Sequence, residues 1–377
     1  MTEESRVDSP SPKYKLREVD PSDIELLNFI NESLAKQRQH ELNMQRNYGY
    51  VKPILSSLFR GMRLVAIKNR IHWSESWKTV PDFLFEYIVV VLGRDWFISE
   101  FEKPFEQRHI IAQWRQKAHE YLLAHQVAGK KIHGIFMNGL TRAYLILAYE
   151  LFVLDMHEAL QLEVVRRLKL PTDFQGALHE LFVASTMIKA GFELTFEDEH
   201  DKTVKHVEFI AKHRTTGITV AVEAKSRHRL NSLGFKGGSE GGTSKSMNIK
   251  PILRKAFGKK PNLPYVIFVD VNLPYSNQSK LRLTDRPWVI EASDVLDSLH
   301  HDLGYTLEPY NQIIISNHPH LYNDENIPDT PSEMFSIVSQ KPEILCPNNS
   351  VFEEIHNAAD TYGRVPNYFE EVSPQSE

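Results

Sequence analysis

A single cysteine, Cys346, occurs in 377 residues. It excludes an intrachain disulfide and any zinc site built from several thiolates. So little cysteine suits a reducing cytoplasm, which is the expected location. Cys346 stands beside a Pro-Asn-Asn-Ser stretch with no motif around it, so it is no candidate nucleophile. Long apolar runs are missing too. The longest, Ala143 to Met156, is broken by Glu150 and Asp155 and is too short to span a bilayer. No apolar core follows the first charges at the amino end, so no targeting signal and no membrane partner are expected. Strong net charge is absent: 44 Lys and Arg stand against 49 Asp and Glu, for −5, which argues against nonspecific coating of nucleic acid. There is no internal repeat.

What remains is ordinary globular composition, 41% hydrophobic and 25% charged, long enough for two domains. Residues 1–13 read as a disordered tail, and the polar stretch from Pro366 to Glu377 reads as mobile. Between 14 and 170 the apolar spacing is that of helices, so an all-α amino-terminal domain is expected. Ser22 would cap a helix to about Gln39. Others follow at Pro53 to Arg70, Pro81 to Phe101, Pro104 to His125 and Gly134 to Lys169. Trp73, Trp77, Trp96 and Trp114 read as packing residues. Arg60, Arg63, Lys68 and Arg70 would put a basic stripe on one helix.

Leu170-Pro171-Thr172 breaks the pattern, and Thr172 with Gln175 gives a capping-box signature opening the next helix, which Gly191 would end. From here to 320 the order changes to α/β. Strands are expected at 192–197, 204–211 and 218–225, a short helix near 249–257, a strand at 265–271, a helix at 293–303 and a strand at 312–316. Residues 321–377 would be a carboxyl-terminal extension.

Within this part, Glu180 sits in a helix rich in small residues, Glu208 in Val207-Glu208-Phe209, and Glu223 and Lys225 in Ile218-Thr-Val-Ala-Val-Glu223-Ala-Lys225. Strand alternation puts Glu223 and Lys225 on one face. If the strand bearing Glu208 pairs beside them, two carboxylates and an ammonium converge where a hard divalent cation could sit. A plainer alternative treats Glu223 and Lys225 as an exposed ion pair at a strand end and Glu180 as a solvated helix position.

From about Thr172 to Val271 these residues resemble the PD-(D/E)XK nuclease superfamily, the restriction-endonuclease-like fold that includes Mrr-type enzymes and Holliday-junction resolvases. The resemblance implies a mixed β-sheet flanked by helices, and a metal-dependent nuclease acting on nucleic acid, DNA preferred. It implies Mg²⁺ or Mn²⁺ held by Glu208, Glu223, the Ala224 carbonyl and Glu180, with Lys225 assisting the attacking water. The family's usual aspartate is replaced by Glu208. A nuclease-like fold kept as a noncatalytic binding or structural module is the alternative. A homodimer is compatible with either.

Between Lys225 and Lys260 ten Lys and Arg face one acid, Glu240. Arg227, Arg229, Lys236, Lys245, Lys250, Arg254, Lys255, Lys259 and Lys260 are the candidate phosphate grip, with a solvated surface as the alternative. Asn231 to Ser246 holds five glycines and four serines; it reads as a flap beside the site or a plain connector. It is no phosphate loop, since Gly242 is followed by Thr243-Ser244-Lys245. Asp270 reads as a solvated strand end or a carboxylate behind the metal ligands. His300-His301 and His318-x-His320 could bind a metal, but no third ligand is spaced to complete a site.

Overall fold

The computed structural model describes residues 24–129, 134–196, 207–230, 232–234, 247–273, 281–304, 306–322 and 333–371. The expected amino-terminal tail, residues 372–377, most of the glycine-serine segment, Lys236 and Lys245 lie outside them; the first part of the stretch expected to be mobile, Pro366 to Glu371, is instead held in place, with Phe369 buried and Glu370 and Glu371 paired to a strand. The chain divides into two compact units, 1–46 and 47–377. Helix α1 (Ile24–Tyr48) supplies the described part of the first.

The second unit is mixed α/β. It begins with a hairpin pair, β1 (Leu55–Phe59), β2 (Met62–Ile67) and β3 (Arg70–Ser74), joined antiparallel. These strands replace the helix expected at Pro53 to Arg70, so the amino-terminal part is not all-α. Phe59 pairs with Met62 across a two-residue loop in which Arg60 and Gly61 both have positive φ, 48° and 82°. That geometry matches the right-handed strand twist. No basic helical stripe exists: Arg63 is buried over the Phe369 ring, and Trp73 is exposed.

Helices α2 (Val80–Leu92), α3 (Arg94–Phe101), α4 (Ile110–Ala124), α5 (Gly139–Met156) and α6 (Leu162–Leu168) follow. Thr79 and Asp82 form a capping box on α2, and Gly93 at φ 99° separates α2 from α3. The two residues Leu170 and Pro171 are a turn rather than a domain boundary. Helix α7 (Phe174–Lys189) packs on α5 and α6 in one continuous core.

Six strands form the main sheet in the order β4-β5-β6-β7-β8-β9: β4 (Phe192–Phe196), β5 (Phe209–His213), β6 (Thr219–Ser226), β7 (Tyr265–Asp270), β8 (Gln312–Ser316) and β9 (Met334–Val338). Pairing runs antiparallel, antiparallel, parallel, parallel, antiparallel. Between β6 and β7 lies α8 (Lys250–Phe257), and between β7 and β8 lies α9 (Pro287–Leu303). One face, with Val220, Val222, Ala224, Phe268 and Ile314, packs on the side of α7. The opposite face, with Ala221, Ile267, Val269 and Ile313, packs with α8 and α9 through Leu253, Phe257 and Leu296. Continuous apolar runs in β7 and β8 are what burial on both faces requires.

The expected carboxyl-terminal extension is instead integral. It supplies β9 to the sheet edge, then α10 (Ser350–Asp360) against α7, then β10 (Glu370–Glu371) beside β1. Among the described residues, no helix is long and apolar enough to cross a membrane.

Candidate functional site

Glu223 lies at the centre of β6, completely buried. Its register partner is Ile267 on β7, whose side chain belongs to the α8-side core, so the carboxylate points to that face. Two ammonium groups meet it there: Lys225, from two residues on, and Lys259, just past α8, at 2.7 Å from Oε2. Lys225 also donates to the Ala224 carbonyl at 3.3 Å. One anion between two cations is the electrostatic requirement for keeping a carboxylate charged at such depth. Beyond the effect of its own burial, the Tyr265 hydroxyl on the same face is pushed further from ionisation by this carboxylate.

Glu208 faces the other way. Its amide donates to the Val222 carbonyl at 2.9 Å, and Phe209 is the register partner of the same Val222. Two residues of one strand thus oppose one of the next, a β-bulge, which interrupts alternation and re-aims a side chain. Val207 drops into the α8-side core, while Glu208 joins Phe209 in lining a crevice with Glu180, Leu181 and Ala184 of α7. Arg167 from α6 grips Glu180 with two bonds of 2.6 and 2.8 Å. Burial opposes the Arg167 charge, but Glu180 and then Glu208 outweigh it and hold its pKa above the ordinary value.

The expected convergence of the three carboxylates is therefore corrected. Glu223 and Lys225 come together, Glu180 and Glu208 come together, and the sheet separates the two pairs. The bulge is the physical reason, since strict alternation would have put Glu208 beside Glu223. Glu180, Glu208, Glu223 and the Ala224 carbonyl do not fit one shared Mg²⁺ or Mn²⁺ in this arrangement.

The basic stretch also divides. Arg229 is a strut, donating to the Val271 and Met247 carbonyls at 2.8 and 3.0 Å, and the Arg227 amide donates to Asp270 O. Lys259 is committed to Glu223. Lys250, Arg254 and Lys255 rim an open hollow of about 610 Å³. There Lys250 also meets Ser298 and Asp302, both at 2.7 Å. Lys260 lies 3.5 Å from Glu343.

Gln175, expected to cap α7, instead clamps the segment after β6. Its amide donates to the Arg229 and Ser232 carbonyls and its oxygen accepts the Arg229 N–H, each at 2.8 Å. Asp270 is no solvated strand end. It is buried beside His179 and His318. Lys259 was visible in sequence only as one cation among ten, and Arg167 carries no sequence signal for its role.

No family model matches the chain, and the curated proteins and solved structures give no significant match either.

Proposed function

We propose that this protein hydrolyses phosphodiester bonds in nucleic acid, most readily DNA, with Glu223 and Lys225 as its reacting pair. The observation that carries the reading is β6: a central strand bearing both residues on one face, at the end from which the chain leaves for the basic helix α8. The order α7-β4-β5-β6-α8-β7, with antiparallel, antiparallel and parallel pairing, agrees with the restriction-endonuclease-like core that the sequence resembles. Lys225 is a compact point charge suited to offset negative charge on a phosphate in reaction. Lys259 holds Glu223 closed in the described state, and it belongs to the same basic stretch that a phosphate backbone would approach. A nucleic acid on that face competes with Glu223 for this ammonium.

A second reading has its own support. Glu180 is saturated by Arg167 and Glu208 is turned from Glu223, which is how a nuclease-like fold retained for binding alone would look. Incubating the full chain with plasmid or single-stranded DNA, in Mg²⁺, Mn²⁺ or EDTA, separates the two. Cleavage that is lost in Lys225→Ala supports the first, in whichever of these conditions it occurs. Binding without cleavage supports the second, and equal cleavage by Lys225→Ala counts against the assigned pair.

A further inference from the structure

We propose that His179, Asp270 and His318 form a site for one divalent transition-metal ion of the kind that favours imidazole, zinc or iron(II), built from residues other than the Glu223 pair. The residues come from distant parts of the sequence and meet on the α7 side of the sheet. His179 lies in the middle of α7, Asp270 ends β7, and His318 opens the 3-10 turn His318–Tyr322 after β8. One ligand atom from each lies within 4.8 Å of the others. Neighbouring ligands around an ion bound at about 2.0–2.1 Å stand roughly 3–3.5 Å apart, so a small side-chain rotation closes the set.

Two further observations point to an ion rather than to ordinary packing. The His179 ring is buried; the Phe268 backbone carbonyl approaches one of its nitrogens at loose geometry, and the other is left without a hydrogen bond, a state in which a protein seldom leaves a buried polar atom unless a water or ion answers it. Asp270 is already oriented as a ligating carboxylate is. Its Oδ1 accepts from the Ser316 hydroxyl at 3.0 Å and from the His318 amide at 3.1 Å, the kind of outer support that fixes metal ligands. The His318 ring is held edge-on to Phe182 and stacked on Tyr362, with centroids at 4.3 and 4.2 Å.

The donor set of two nitrogens and one carboxylate selects the ion. Imidazole suits zinc, iron, nickel and copper, whereas magnesium prefers oxygen and retains water. Bound here, the ion would fasten the central helix to the carboxyl ends of β7 and β8, so its affinity adds to the stability of the fold.

The test uses full-length protein without a histidine tag, stripped with a chelator and then equilibrated with Zn²⁺, Fe²⁺ under anaerobic conditions, or Mg²⁺. Metal content and thermal midpoint are then measured. The expected result is about one zinc or iron ion retained per chain, a midpoint raised by several degrees, and no effect of magnesium. Asp270→Asn and His318→Gln lose the ion, and His301→Gln, at an exposed histidine, keeps it. A wild type that retains no more ion than Asp270→Asn and His318→Gln overturns the proposal, as does an equal response to magnesium. Should those variants not fold, Co²⁺ loaded into the wild type provides the readout. Visible absorption of nitrogen-ligated cobalt supports the site, and the spectrum of hydrated cobalt overturns it.

Discussion

Glu223 occupies the least favourable position for a charge in this sheet, and its two lysines decide what each substitution does. Removing the carboxylate leaves two ammonium groups facing each other over an apolar core. Breaking a buried pair from one side costs about 3–5 kcal/mol, and because both lysines reach water the low end applies, roughly 3 kcal/mol for Glu223→Ala. Lys225→Ala leaves Glu223 still paired with Lys259 and costs about 1 kcal/mol, near the range of exposed pairs. Urea unfolding of the two variants checks the order. Equal losses would mean that Glu223 is not held as described. Because Lys225→Ala should fold, it is also the cleaner variant for the activity assay.

His109 gives a second prediction at this scale. It caps α4, its Nδ1 accepting the Ile111 N–H at 3.3 Å, while Glu100 accepts the His109 amide at 2.7 Å. Burial, aided by Lys103 and opposed by Glu100, lowers the imidazole pKa to about 4. The unfolded chain then takes up the proton first as pH falls. Stability from His109 is complete above about 6.5 and declines toward about 4, by at most about 1.4 kcal/mol per pH unit. His109→Asn keeps a capping acceptor and removes the titration. Its urea midpoint should fall less steeply over that window, and an unaltered slope would show that the acid sensitivity lies elsewhere.

At the level of elements, α8 separates committed charge from available charge. Lys259 serves Glu223 and Arg229 serves the backbone, so among the described residues the phosphate grip centres on Lys250, Arg254 and Lys255 around their hollow, where Lys250 and Arg254 share Asp302. Replacing these three with alanine should weaken DNA binding similarly across sequences. It should also flatten the log–log salt dependence by somewhat under one unit for each phosphate no longer neutralised. Unchanged affinity and slope would move the binding surface off α8. The same scale shows what the sequence made legible. Helix α7 with Gly191 at its end, the strands β4, β6, β7 and β8, and α8 follow from periods of 3.6 and 2 read in order, whereas β5 lies at Phe209–His213 rather than 204–211 and α9 begins at Pro287 rather than 293. Leu55 to Ile71 did not follow, because Leu58, Met62 and Val65, at i, i+4 and i+7, also satisfy helical spacing. Only Gly61 marks the hairpin, since Arg60 at positive φ has no sequence signature. The bulge at Glu208 is equally silent. It arises from a pairing choice between strands, and it is what separates Glu208 from Glu223.

Over the whole molecule, the helical layer and the sheet are one body from 47 onward, which yields the last prediction. Lys189 of α7 and Glu150 of α5 form a fully buried ion pair at 2.6 Å. Arg286, at the entry to α9, and Glu333, before β9, form another, also buried. The side chain of Gln312 in β8 reaches the Phe352 carbonyl of α10 at 2.9 Å. A fragment of residues 171–320, the span that sequence alone delimits as a nuclease-like domain, cuts all three connections. It takes Glu150 from Lys189 and Glu333 from Arg286 and exposes the faces of α7 that carry Phe174, Leu181 and Met187. Returning large apolar side chains of those faces to water at about 1.5–3 kcal/mol each forfeits a large fraction of the roughly 5–15 kcal/mol that holds a domain together. The fragment is therefore expected to show no cooperative urea transition, while the full chain does. A cooperative transition in the fragment, with an m-value appropriate to its size, would mean that the helices and the carboxyl-terminal strand are packed onto an independent domain rather than built into it.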